Sequence, residues 1–570
     1  MSAGRRLSLD DPPQMKCPTP VFLLGLVTGC AADVVELGPE MGEGDAPTSM
    51  SFVERTAEAG FRVPLLDPSP RAPLESISMI GGVAAGDVDG DSDVDLFLVS
   101  EGSEVNLLYL NRGDGTFREV SAGGARDIPQ YESGPLFVDY DGDGDLDLMI
   151  GGIRLESQRQ HNSVMVFRNS GNGAFVDVTP ATGLVLPPEV DTYSISAGDI
   201  DGDRLLDLFL THWHTFLGRD ALGNPITTHG DHFLWKNSGA GRFVDVTRAY
   251  GLDGLQFTFT ANFSDIDRDG DLDILLASDF GNSKVLRNDG GAFAEEPASL
   301  LSDENGMGAS VGDYDNDGDL DWFVTSIWDS DGISEGNWGV TGNRLYANDG
   351  QGGFTDVSAR TGTRVGYWGW GSCFADFDND GNLDLFHVNG WNGDGPEDSE
   401  FLSDPSRLFM SNGDGTFVER ASELGLSDTN QGRGVVCFDA DRDGDIDIFV
   451  ANNRASPSFF VNEGTGLNSY LGIVLRGDSP NTQGIGARIT VTTGGGEQQI
   501  REIRAGNNFL SQNPAEAHFG LGREQFVDVS VRWPGGSLTV LDNVAVNQVL
   551  VIHQSVTSCL PTIDERGCLD

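Results

Sequence analysis

Apolar positions in this chain come in short alternating runs. Leu-Asp-Leu-Met-Ile at 146–150, Ile-Asp-Ile-Phe-Val at 446–450 and Phe-Val-Asp-Val at 175–178 and 243–246 are bounded by Gly, Asn and Asp, and no run shows the 3.6-residue period of an amphipathic helix. Such spacing predicts half-buried strands joined by tight turns, hence an all-β protein.

One nine-residue acidic pattern recurs seven times among these runs, with Asp at positions one, three, five and nine. The copies comprise Asp87, Asp89, Asp91 and Asp95; Asp139, Asp141, Asp143 and Asp147; Asp199, Asp201, Asp203 and Asp207; Asp265, Asp267, Asp269 and Asp273; Asp313, Asp315, Asp317 and Asp321; Asp376, Asp378, Asp380 and Asp384; and Asp439, Asp441, Asp443 and Asp447. Most copies run on through an apolar strand and an N-x-G-x-G-x-F turn into F-x-D/E-V. The stretch before each copy is rich in small residues, as in Ser194–Gly198 and Met307–Val311, which suits a crowded inner strand. Four strands per repeat and seven repeats predict a seven-bladed β-propeller over 51–465. Phe52-Val53-Glu54-Arg55 matches the last strand of a repeat but precedes the first acidic copy, so it is expected to complete the seventh blade and remove an open edge.

Alternate aspartates in a tight turn aim carboxylates at one centre. Calcium takes six to eight hard oxygen ligands, so positions one, three, five and nine, a position-seven carbonyl and water suit it, and about seven Ca2+ ions are expected. Position seven varies (Asp145, Leu205, Asn382), as a backbone ligand permits, and Gly at position six, such as Gly144 or Gly318, allows a sharp reversal. The formal charge of −54, from 89 Asp plus Glu against 35 Lys plus Arg, disfavours nucleic acid as a partner and favours cations.

The repeats resemble the FG-GAP or VCBS repeats of integrin-α-like propellers. Gly484-Ile485-Gly486-Ala487-Arg488, His518-Phe519-Gly520-Leu521-Gly522 and Trp533-Pro534-Gly535-Gly536 resemble the ASPIC/UnbV domain, which predicts a C-terminal small β-domain over 466–555 and a tail over 556–570. The combination resembles the cartilage acidic protein family and its bacterial relatives, which implies an extracellular calcium-binding protein without established catalytic chemistry.

Residues 1–30 are read as a signal peptide. Leu26-Val27-Thr28-Gly29-Cys30 resembles a bacterial lipobox that would leave Cys30 lipidated, and a start at Met15 fits this signal. A flexible tether over 31–50 would hold the protein off a membrane, outer membrane or cell surface. Export places the chain in an oxidising setting, where a Cys559–Cys568 disulfide is expected, whereas Cys373 and Cys437, on opposite strand faces, are expected as small buried thiols.

Long insertions follow the second strand at Thr211–His232, Ser326–Asn343 and Asn389–Ser406, and share the face opposite the acidic loops. Trp213, Trp328, Trp338 and Trp391, with Trp368 and Trp370, are the candidate platforms there for an extracellular glycan or protein. His212, His214, His229 and His232 form a candidate transition-metal set, the basis of an alternative as an exported metalloenzyme. No G-x-S-x-G, H-E-x-x-H, phosphate loop or dinucleotide fingerprint accompanies them, so binding or adhesion is the leading expectation and no catalytic residue is assigned.

Overall fold

Each acidic nonapeptide joins two antiparallel strands, and its ninth-position Asp opens the second of them. In the computed structural model, Val83–Gly86 leads through the first acidic loop to Asp95–Leu98, followed by Leu107–Asn111 and Phe117–Val120 in one antiparallel sheet. The structure describes residues 32–34, 50–61, 78–99, 105–128, 131–153, 162–187, 190–219, 225–229, 232–297, 301–329, 339, 341–391, 401–453, 455–464, 466–506 and 508–555.

Six further antiparallel units of four strands repeat this plan, opening on Tyr131–Val138, Ile195–Gly198, Thr258–Ser264, Ala309–Gly312, Gly369–Ala375 and Gly432–Phe438. In the last of them the fourth strand is Phe52–Glu54, whose Phe52 pairs with Asn462, so a segment from the start of the chain completes the final repeat as the sequence predicts. The opening strands touch one another in chain order, and Gly432–Phe438 in turn contacts Val83–Gly86. These inner strands are buried on both faces, which explains their small residues: a Cβ on Gly371, in the strand Gly369–Ala375, would lie 2.4 Å from the Arg433 carbonyl oxygen.

A stitch repeats between neighbouring units. The Asn at the end of the third strand, one residue past it in the second unit, donates from its side chain to the backbone of the preceding unit's acidic loop: Asn169 to Val88, Asn237 to Tyr140, Asn288 to Ile200, Asn348 to Ile266 and Asn462 to Phe377, at 2.8–2.9 Å. Asn111 of the first unit makes the same bond, 2.8 Å long, to Ala440 of the seventh. Ser411 stands at this position in the sixth unit.

Beyond the repeats, the strands Ser469–Arg476, Glu516–Gly522 and Gln548–His553 form one sheet, and Arg488–Thr493, Gln498–Glu502, Phe526–Arg532 and Leu538–Ala545 form another. Leu471, Ile473, Ile489, Val491, Phe519, Val529 and Trp533 fill the core they share. Ala32–Val34, within the stretch read as tether, pairs antiparallel with Gln548–His553, so that short segment belongs to the sheet edge.

The C-terminal domain sends a segment among the inner strands. Ser511–Gln512 pairs in parallel with Val83 and Ala84, Ala505 bridges Ala197, and Phe509 and Leu510 are fully buried against Phe259 and Trp370 and their neighbours. Polar groups of the segment are satisfied by inner strands of several units: Asn508 accepts from the Ser372 amide (2.8 Å), Ser511 from that of Val435 (3.1 Å), and Gln512 from that of Phe137 (2.6 Å).

One expectation is overturned in this region. Cys373 and Cys437 are not separate thiols but a disulfide, with Cα atoms 6.6 Å apart. They sit on the opening strands of consecutive units. Stacked sheets present opposite faces to each other, so side chains on opposite strand faces are the ones that meet.

Candidate metal centres

The first Asp of each nonapeptide organises its loop. Asp87 accepts from the amides of Gly90, Asp91 and Ser92 at 2.7–3.1 Å, and Asp139 from those of Gly142, Asp143 and Gly144 at 2.8–3.1 Å. The fifth-position carboxylate accepts from the amide two residues on, as in Asp91 from Asp93 (3.0 Å) and Asp269 from Asp271 (2.9 Å). This winding needs left-handed backbone at position six, where Gly144 has φ 101° and Gly318 φ 92°, and also at position four, where Gly90, Asn316 and Arg442 have φ of 81°, 55° and 60°. The position-four requirement was legible as a recurring Gly, Asn or Arg but was not drawn from the sequence.

The ninth-position Asp is bonded on both sides. Asp95 accepts from Val88 (3.0 Å) and Asn111 (2.9 Å), and Asp273 from Ile266 (3.1 Å) and Asn288 (2.8 Å). The same Asn therefore orients a candidate metal carboxylate and stitches two units together. Sequence reading took it only as a turn residue, although its recurrence before the glycines was the available signal.

These loops gather carboxylate oxygens within 4.8 Å of one another: Asp87, Asp89 and Asp95; Asp139, Asp141 and Asp147; Asp199, Asp201 and Asp203; Asp265, Asp267 and Asp269; Asp313, Asp315 and Asp321. Several of the oxygens are buried with no hydrogen-bond donor, including one each of Asp89, Asp141 and Asp378 at position three and of Asp265 and Asp313 at position one. Burial, reinforced by the neighbouring carboxylates, pushes the ninth-position carboxyls up, to about 8 in Asp95, Asp207 and Asp273 and about 9 in Asp147 and Asp321. Converging anionic oxygens without donors are poorly stable alone and match the all-oxygen shell of a hard divalent cation. The residues present fit calcium.

The C-terminal domain sits against these loops. Thr482 donates its hydroxyl to Asp139, the Asp139 amide donates to Gln483 (3.2 Å), and the Asp265 amide donates to Glu502 (3.1 Å). His518 bonds Asn379 at 2.7 Å, and Arg442 pairs with Glu516 at 2.8 Å. Burial and the nearby Arg501 hold His518 down at about 3, so it stays neutral and donates from Nε2 to the side-chain oxygen Oδ1 of Asn379.

On the opposite side, the tryptophan platform is overturned in part. Trp368, Trp370 and Trp391 are buried and stack on one another, with centroids 4.9 Å apart for Trp368 and Trp391 and 5.9 Å for Trp370 and Trp391. Trp370 also carries the Arg433 guanidinium on its face. They are core. Trp213 is half-buried, stacks on Phe259 and donates to Asp279 (2.7 Å), and Trp328 is half-buried; Trp338 lies outside the described residues.

His212 and His232 are buried with rings stacked 5.9 Å apart. The His212 ring donates from Nδ1 to the Asp191 carbonyl, and His232 Nδ1 accepts from the His212 amide at 3.0 Å. His214 and His229 are register partners in the hairpin His214–Arg219 with Pro225–His229, and their side chains lie outside the described residues, as do Cys30, Cys559 and Cys568.

Repeating acidic loops between strands of four-stranded sheets define an FG-GAP-type protein, and the FG-GAP-like repeat model matches residues 87–150, 155–210, 265–324, 328–387 and 391–450, with the ASPIC and UnbV model at 477–558. The chain belongs to this FG-GAP and ASPIC/UnbV family. It is homologous to cartilage acidic protein 1: the human protein is 28% identical over 306 residues, 49% of this chain and 42% of the relative, and the mouse protein is 28% identical over 288 residues, 47% and 40%. The match thus spans less than half the length of either relative. An exotype rhamnogalacturonan lyase aligns over 67% of this chain and 71% of its own at 13% identity and a TM-score of 0.32, a level that leaves the architecture to the strand pairings above.

Proposed function

We propose that this protein is a calcium-stabilised, seven-bladed β-propeller that is exported, tethered to a membrane through lipidated Cys30, and engaged in recognition of an extracellular glycan or protein. The observation that carries the calcium reading is the convergence of buried carboxylate oxygens that lack hydrogen-bond donors in loop after loop. Bound calcium would supply positive charge that lets these carboxylates stay ionised and close together. Positions one, three, five and nine would hold it, while the Asn stitch fixes the ninth-position carboxylate. Seven blades are supported by the circuit of inner-strand contacts, by the Asn111 to Ala440 bond and by the Phe52–Glu54 strand. Export and an extracellular setting are supported by the lipobox-like segment and the family.

The C-terminal domain covers much of the acidic-loop face, which leaves the opposite face for a partner. Trp368, Trp370 and Trp391 have no part in this proposal, because they are core.

The test is calorimetric titration of calcium into chelator-stripped full-length protein, followed by screening of the loaded protein against glycan and extracellular-protein arrays. Uptake of several ions and a saturable, reproducible array partner are expected. Absence of calcium uptake contradicts the first half of the reading, and absence of any specific partner contradicts the second.

A further inference from the structure

The third acidic loop differs from the others in ways that converge on one side chain. It has Arg204 and Leu205 at positions six and seven, so it carries four carboxylates, whereas the first, second, fourth, fifth and seventh loops add a fifth Asp at position seven. Arg204 adopts φ 68°, the left-handed conformation that most of the loops give to Gly, and the loop still winds as the rest do: Asp199 accepts from Gly202, Asp203 and Arg204 at 2.7–3.1 Å. The backbone frame is intact. What changes is the charge inside it.

Lys236, on the strand Phe233–Asn237, reaches into this loop. Its ammonium contacts the Asp201 carboxylate and lies 3.1 Å from that of Asp203. These are two of the three carboxylates whose oxygens gather as a candidate cation site. The anchoring is firm, because the next residue, Asn237, donates its amide to Asp207 at 2.7 Å and its side chain to Tyr140 at 2.9 Å.

The residue before the stitch position is apolar in four other units, as Leu110, Ala347, Met410 and Val461. In the second unit it is Arg168, close enough to Asp141 to act on its carboxyl, and in the fourth it is Arg287, whose charge is spread over Asp267 at 3.6 Å, Asp289 at 3.1 Å and Glu296 at 3.6 Å. Among the described residues, Lys236 is the cation for which two carboxylates of one candidate set are both direct partners.

We propose that Lys236 is the built-in cation of the third loop, so that this loop is held closed by an ammonium and does not retain calcium. The inference rests on the calcium reading of the remaining loops. A divalent ion entering here would have to displace an ammonium from two carboxylates and would be repelled by it at close range. Fewer carboxylates and a resident positive charge both lower the affinity left for calcium. The third loop would then be constitutively set, while the others respond to the metal.

Native mass spectrometry of the full-length chain equilibrated with calcium tests this. The wild type is expected to hold six ions and Lys236→Met seven. Asp199→Asn should leave the wild-type count at six but return Lys236→Met from seven to six, which places the gained ion in the third loop. Lys236→Arg, a second variant that keeps the charge, should stay at six. Seven ions on the wild type, or six on Lys236→Met, would overturn the proposal while leaving the calcium reading standing. No retained calcium on any variant would overturn both.

Discussion

The carbonyl oxygen of Leu510 accepts a 3.1 Å hydrogen bond from the amide of Val83, joining a segment of the C-terminal domain to the inner strand of the first repeat. Phe509 beside it is fully buried against Phe259 and Trp370, with ring centroids 5.6 and 5.0 Å away. The repeats therefore depend on this domain for part of their own core. Phe509→Ala should cost about 3–5 kcal/mol in urea unfolding, as for a large aromatic removed from a core. A chain ending near residue 464 should lose cooperative unfolding, since it would expose both the apolar lining and the inner-strand groups that Asn508, Ser511 and Gln512 satisfy. A stable, cooperatively folding truncation would contradict this dependence.

Trp391 offers a second measurement. Its ring is buried between Trp368 and Trp370. Trp391→Ala should destabilise the protein by about 3–5 kcal/mol, and a conformationally intact variant that merely loses a ligand would contradict the core assignment.

The Cys373–Cys437 bridge closes a loop of 64 residues between two neighbouring inner strands. Replacing both cysteines by serine should lower stability by about 2–4 kcal/mol through the loop-closure entropy restored to the unfolded chain, before any loss of packing is added. Chemical denaturation of the double variant beside the oxidised wild type is the check.

Glu132 yields a pH signature away from the acidic loops. It is buried on the strand Tyr131–Val138, and burial holds its carboxyl well above the usual range. An acid with a raised folded pKa binds more protons folded than unfolded, so its contribution to stability is largest at low pH and declines as pH rises above about 4.5. Glu132→Gln should therefore be more stable than the wild type at pH 8, by about 1 kcal/mol or more, with the gap narrowing toward pH 4.5. A gap that does not change with pH would show that the side chain's charge is not the cause.

Much of this architecture was written locally. The nonapeptides fixed the loop positions because each needs aspartates at set spacing, and Phe52-Val53-Glu54 declared its place by matching the last strand of a repeat. Three features were not local. The stretches 505–506 and 508–512 have no alternating pattern, since their burial comes from inner strands of many repeats and not from one sheet face. The tryptophan stack depends on how the connections before and after Asp384–Asn389 fold back, which spacing does not encode. The Cys373–Cys437 contact follows from the stacking of opposite sheet faces, visible only once neighbouring units are placed together.

The central claim is that cations hold the acidic loops, and thermal unfolding of the full-length protein with calcium and with excess chelator, on samples assayed for bound metal, tests it most directly. The account predicts several calcium ions per chain and a midpoint that falls by roughly 10 °C or more on chelation, because ions that bind only the folded state add to its stability. Little bound calcium and an unchanged midpoint would contradict it.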